Sequence, residues 1–258
     1  NRTNMLQEFY PLILALFAAA ATGLIGSFAL MKRMTLAGDT MSHIALPGLG
    51  LALLWNVNPV IGAAAALAIG AALIWKIERT TGLATETTIG VIFSAAIAVG
   101  ALVTPSEDII EALFGGADAV TLATLATYIT FSLIGMVFVM GVRNQLILNL
   151  FNADLARATG VKVSRLDLLY YLMFALTLIL GLRFLGTLLV GALVIVPAAT
   201  AKQLTETLTK FLIVSAFVSM LSVVLGYWVS SIYELQVGPT VVAIAAGFFL
   251  LSLLRRHR

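Results

Sequence analysis

The sequence predicts an all-α polytopic membrane protein of about nine transmembrane helices, and three observations predict it. Of 258 residues, 61% are apolar and 10% charged, whereas a soluble domain carries about 25% charge. The mean hydropathy is +1.07, so the surface cannot be wetted, and neither a soluble globular domain nor a disordered chain fits. Apolar runs near the length of about 20 residues that a helix needs to cross hydrocarbon recur from end to end. Helices follow from the solvent, because lipid makes each span satisfy its own backbone hydrogen bonds. The chain has no Cys, which removes disulfides, thiolate metal sites and a Cys nucleophile. The formal charge of +3 does not point to nucleic acid, since the basic residues flank apolar runs.

Nine apolar segments can be marked, at residues 9–31, 36–55, 59–77, 87–104, 121–142, 168–182, 185–201, 211–231 and 239–254. The first is too long for a signal-peptide core and reads as a span. The sixth and seventh are short and parted only by Arg183 and Phe184, so one bent element there, giving eight spans, is the alternative. Charge favours nine. With the N-terminus outside and the C-terminus inside, 13 of the 15 Lys and Arg fall in cytoplasmic loops, and only Arg2 and Arg183 do not. Merging the sixth and seventh segments would put the last two basic clusters on the wrong side.

The loop between the fourth and fifth segments carries Glu107, Asp108, Glu111 and Asp118 and no Lys or Arg. It reads either as a solvated loop or as a vestibule that attracts cations or a basic partner. The longest cytoplasmic stretch, residues 143–167, contains a short predicted helix. Asn152 suits its N-cap, Asp154 complements its N-terminus and Gly160 suits its C-terminal turn. This helix either lies on the membrane or forms the face on which a motor subunit pushes. Small residues four apart, such as Gly38 and Ser42, suit close helix packing. Arg183 reads as an interfacial anchor, the turn at 234–240 as structural, and Pro197 as a kink or end of the seventh span.

The chemistry concentrates at residues 38–48, GDTMSHIALPG. Asp39 and His43 are four apart, so on a helix they share one face, one turn apart. Both are costly in hydrocarbon and belong in a bundle interior or a wet cavity. A carboxylate with an imidazole is a partial shell for a divalent first-row metal. Pro47 has no N–H for the carbonyl of His43, four residues before it. Broken helices of this kind line substrate sites in transporters. The plain alternative is that Asp39 only stabilises a helix N-terminus and His43 donates to a neighbouring backbone. Two ligands are not a complete site either, but a symmetric dimer would bring two of each together. The chain lacks a G-x-x-x-x-G-K-[ST] P-loop and an H-E-x-x-H motif. Energy from ATP must therefore come from a partner chain.

At these residues the chain resembles the membrane permeases of metal-uptake ABC transporters, which serve zinc, manganese and iron, and looks most like the zinc permeases. The matching stretches are 32–43 (KRMTLAGDTMSH), 111–115 (EALFG), 152–161 (NADLARATGV), 184–201 (FLGTLLVGALVIVPAATA) and 238–240 (GPT). They run in order over almost the whole chain, and the first and fourth are specific. The resemblance implies a single permease domain over 1–258 with a fold like the vitamin B12-type importers, working as a homodimer in the cell's inner membrane. It implies two cytoplasmic ATPase subunits, carrying ATP and Mg2+, that contact the coupling segment at 152–161. It also implies an extracytoplasmic metal-binding protein that delivers the ion, no permanently bound cofactor, and transported Zn2+ or Mn2+ meeting Asp39 and His43. The chain is then a transport subunit and not an enzyme. Competing classes are a secondary metal transporter or channel, for which the spans hold few acids, and an intramembrane metalloenzyme, for which they hold too few polar groups.

Overall fold

The computed structural model describes residues 10–34, 37–103 and 121–254, with the side chains of 183–188 outside the described set. The acidic loop residues Glu107, Asp108, Glu111 and Asp118, the stretch 111–115 and the Arg183 side chain therefore lie outside the described residues. Every described element is a helix: α1 (Tyr10–Met31), α2 (Ala37–His43), α3 (Ala45–Leu54), α4 (Pro59–Thr81), α5 (Thr85–Val103), α6 (Leu122–Phe151), α7 (Ala153–Ala158), α8 (Val163–Leu204), α9 (Leu208–Tyr233) and α10 (Val237–Leu253).

Helix α1 is the axis of the bundle. It is buried without a break from Ala18 to Ala29 and packs against α8, α9 and α6. Its Ala- and Gly-rich sequence explains the position, because small residues let backbones approach closely where lipid gives no hydrophobic drive between helices. The carbonyl of Val194 on α8 fills the place of a Cβ on Gly26, and a Cβ on Gly23 would lie 2.7 Å from the carbonyl oxygen of Ser215. Three buried hydroxyls at this axis are satisfied on backbone carbonyls. Ser27 donates to Gly23 at 2.8 Å, Ser215 of α9 donates to the same carbonyl at 2.7 Å, and Tyr170 of α8 donates to Ile25 at 3.1 Å.

Among the described residues, six helical stretches are long and apolar enough to cross a membrane: α1, α4, α5, α6, the Val163–Leu182 part of α8, and α9. Leu189–Leu204 and α10 are apolar but shorter. The segment read at 36–55 as one span is two short helices, broken at Ile44. The Ile44 N–H reaches back only three residues, to Met41 at 3.0 Å. Pro47 then sits in the first turn of α3, where no N–H is needed. Helix α8 runs through both the sixth and seventh segments with no loop between them. Yet the side chain of Val190 occupies the place of a Cβ on Gly181. Nine residues of straight helix would separate them by about 13 Å, so the run bends sharply between them. Pro197 does not end this run, which continues to Leu204.

The outward faces of α4, α5 and α6 carry Ile61, Ile69, Val91, Leu102 and Val137, all exposed, as lipid-facing surfaces require. At one end of the bundle the basic clusters gather. Lys32, at the end of α1, pairs with Asp167 of α8 at 2.7 Å. Arg79 of α4 lines a crevice of about 300 Å³ with Arg157 and Lys162.

The close crossing at Gly26 gives a direct test. Gly26→Val drives a side chain into the Val194 carbonyl and is expected to destabilise the protein by about 1–3 kcal/mol. Gly141→Ala, where nothing lies within 4 Å, is expected to be neutral or mildly stabilising. Thermal unfolding of the two purified variants in detergent compares them.

Candidate metal site

The pair singled out in the sequence is positioned by a backbone crossing. Gly38 of α2 lies against Gly191 of α8, where a Cβ would come 3.1 Å from the Gly191 carbonyl oxygen. In turn, the backbone of Asp39 fills the place of a Cβ on Gly191. A side chain at Gly191 would push α2 off α8, and one at Gly38 would fit only if the neighbouring backbone gave by a few tenths of an ångström. Gly191 precedes Lys202 by eleven residues, so the crossing stands about 16 Å along α8 from that basic end. Helix α2 thus starts deep within the bundle, and its first turn carries Asp39 there.

Asp39 and His43 do share one face, as the spacing predicts. His43 Nε2 lies 4.0 Å from Asp39 Oδ1, with the His43 side chain 13% exposed and that of Asp39 56%. At this distance the two make no direct hydrogen bond. Metal bonds of about 2.1 Å meeting at a tetrahedral angle hold their donors about 3.4 Å apart. A closure of about 0.6 Å would therefore let one ion bridge the pair. The other imidazole nitrogen, Nδ1, is buried with no hydrogen-bond partner. A buried polar atom left unpaired costs about 1–3 kcal/mol, a cost tolerated where function needs the group. The ring is held by a tilted contact with Phe93 of α5, centroids 5.7 Å apart. Ser42 Oγ donates to the Asp39 carbonyl at 2.6 Å, turning its hydroxyl back onto its own helix.

Among the described residues no cluster of three His, Cys, Asp or Glu occurs. The described residues therefore offer two strong ligands here, with Asp39 half exposed. A full tetrahedral shell takes two more donors, for which water, a backbone carbonyl or a second chain would serve.

The short helix expected after Asn152 also forms. Helix α7 is six residues long, and Asn152 caps it as its sequence predicts, accepting from the N–H groups of Asp154 and Leu155 at 3.0 and 2.9 Å. Gly160 has φ +85°, the left-handed turn read from the sequence. Arg157 pairs with Asp154 on the surface. Exposed Phe151 and Leu155 give this region an apolar face. The stretch leading into it is more ordered than a loop, since α6 runs through Arg143 to Phe151.

Two groups at the pair, and one at the basic end, were not singled out in the sequence. Phe93 and Gly191 carry no signal of their own, being an aromatic and a small residue in an apolar chain. Asp167 did carry one: it is an acid at the mouth of a basic loop, where a buried partner was to be expected.

Comparison with known proteins follows the same lines. Residues 5–256 match the ABC 3 transport family. The manganese transport system membrane protein MntC of Listeria monocytogenes is 32% identical over 94% of this chain and 88% of its own length. The high-affinity zinc uptake system membrane protein ZnuB of Haemophilus influenzae is 30% identical over 98% of this chain and 100% of its own. Among solved structures, PsaBC from Streptococcus pneumoniae in complex with Fab superposes with a TM-score of 0.80 at 28% identity, covering 93% of this chain and 88% of that one. An inward-facing putative metal-chelate type ABC transporter shares the fold, with a TM-score of 0.67 at 16% identity over 95% of this chain and 85% of that one. A family match over nearly every residue, relatives aligned end to end, and a solved structure of the same shape agree: the chain belongs to the ABC 3 transport family, as a metal-permease type of membrane subunit.

Proposed function

We propose that this chain is the membrane permease of an ATP-driven importer of divalent metal ions, in which Asp39 and His43 line the ion's path. The observation that carries the reading is the pair itself: a half-exposed carboxylate and a mostly buried imidazole with an unpartnered nitrogen, 4.0 Å apart. Zinc is the first reading for the ion, from the resemblance at Gly38-Asp39-Thr40. Manganese is the second, and relatives named for each metal align equally well. Chemically, one carboxylate and one imidazole accept either ion, so selectivity rests on the completed shell or on the protein that delivers the ion.

The physical mechanism is alternating access across a seam between two copies. Two ligands per chain from each of two chains make a four-coordinate shell. Such a shell holds the ion only while the seam is closed, and release follows when the copies move apart. Two cytoplasmic ATPase subunits, which carry ATP and Mg2+, dock on residues 152–161. An extracytoplasmic metal-binding protein loads the ion from the other side. Nine crossings in the manner of the vitamin B12-type importers, N-terminus outside and C-terminus inside, go with this assembly in the inner membrane. The contact of Gly181 with Val190 supports a reversal between the sixth and seventh segments. The meeting of Lys32, Arg79, Arg157 and Lys162 at one end supports the orientation.

Uptake of labelled zinc and manganese tests this in cells that lack their own zinc importer and express the chain with its ATPase and delivery protein. The expected outcome is uptake that needs the ATPase and is lost in Asp39→Ala and His43→Ala at equal membrane abundance. Normal transport by both variants would remove the pair from the path. Manganese uptake without zinc would keep the class and change the ion.

The docking face is checked separately. Leu155→Asp and Phe151→Asp place charge on the exposed apolar patch beside α7 and are expected to abolish co-purification of the ATPase while leaving the permease folded. Retained co-purification in both would move the docking face elsewhere.

A further inference from the structure

The helix that would receive the ATPase is bracketed by polar contacts that lead back to the metal pair. On its near side, Asn149 near the end of α6 donates to Asp167 Oδ1 at 3.0 Å. On its far side, Asp167 itself stands near the start of α8 and accepts from Lys32 at 2.7 Å. Trp75 of α4 donates to the carbonyl of Ser164 at 2.9 Å, tying down the same turn of α8. The Lys32 ammonium also lies over the rings of Tyr170 and Tyr171, 4.9 and 5.2 Å from their centroids. Tyr171 donates to Glu78 at 2.7 Å, and the other oxygen of Glu78 accepts from Thr85 at 2.6 Å. Thr85 opens α5, the helix whose Phe93 packs on His43. Lys32 closes α1 and stands five residues before Ala37, where α2 begins.

Two routes therefore join the α7 region to the two sides of the pair. One runs through Lys32 to Met34, whose carbonyl accepts from the N–H of Ala37 at the start of α2 at 3.1 Å. The other runs through Tyr171, Glu78 and Thr85 into α5. The Lys32 and Asp167 side chains are 12% and 26% exposed. Apolar packing of the same volume would stabilise such a site as well or better, so stability alone does not account for a largely buried ion pair. A charge-assisted contact is directional and breaks or holds as a unit.

We propose that Lys32 and Asp167, with Asn149 and the Tyr171–Glu78–Thr85 contacts, are positioning residues that couple movement of α7 to the placement of Asp39 and His43. This rests on the importer reading above. A push on α7 acts on Asn149 and Asp167 together, since they flank it in sequence. Lys32 follows its carboxylate partner, and the start of α2 follows Lys32. The pair on α2 and the Phe93 wall on α5 then move in register.

The test uses the whole transporter, permease with ATPase and delivery protein, in proteoliposomes. The readouts are ATPase co-purification and metal ions delivered per ATP hydrolysed. Lys32→Met is expected to retain the ATPase and its ATP hydrolysis but to lower ions per ATP about fivefold. Lys32→Arg, which keeps the pair, is expected to stay near wild type. The reversed pair, Lys32→Asp with Asp167→Lys, is expected to recover part of the loss. A residue that served stability alone would lower uptake and hydrolysis together and leave the ratio unchanged. If Lys32→Met does not reach the membrane, Tyr171→Phe, which removes one hydroxyl, and the reversed pair carry the same measurement. An unchanged ratio in these variants overturns the proposal alone. Wild-type uptake that proceeds without the ATPase overturns the importer reading and this proposal with it.

Discussion

The crossing of α2 and α8 at Gly38 and Gly191 is the constraint on which the site depends. Helix α2 is only seven residues long, too short to stand by its own hydrogen bonds. It is held because its backbone lies directly on that of α8, with no side chain between them. This close approach also sets the depth of Asp39 and the direction of His43. The pair is thus fixed by two residues that have no side chains of their own.

The same economy governs the rest of the bundle. An apolar protein in an apolar solvent has little hydrophobic drive for helix association. Close backbone contacts at Gly23, Gly26, Gly48 and Gly62 supply it instead, together with hydroxyls that share carbonyls already used within a helix. Ser27 and Ser215 both end on the carbonyl of Gly23, which ties α1 to α9 at the depth where charged groups are least welcome. A rigid axis of this kind lets the flanking helices move as bodies.

Among the described residues, two places carry the polar groups on which the candidate site and its surroundings turn. One is the pair on α2, with its carboxylate half exposed. The other is the basic end, where Lys32 and Asn149 donate to Asp167, and Tyr171 and Thr85 donate to Glu78. Between them lie mainly apolar side chains and the backbone of α1, α2 and α5. Displacement can pass through such a body only by movement of whole helices, because close-packed interiors yield little. In the proposed mechanism the chemistry of binding and the mechanics of coupling accordingly fall to different residues.

The sequence by itself determined the class of the protein, the polar pair and the cap of α7. Composition dictates a membrane solvent, and that solvent dictates helices. The spacing of Asp39 and His43 is a local fact, since four residues make about one helical turn whatever surrounds them. Asn152 and Gly160 act through their own backbones, so their roles were equally legible. Tertiary structure decided what depends on residues far apart in the chain. The sequence marked Gly38 as a small residue but not that Gly191, 153 positions later, would meet it. Pro47 announced a break, but its place at Ile44 and the separation into α2 and α3 follow from packing against α8 and α5. Lys32 read as an orientation signal for the membrane, yet it became a part-buried partner of Asp167, 135 residues away. Local hydrogen bonding and solvent preference are written residue by residue. Which backbone or charge a residue meets is settled only when the helices pack.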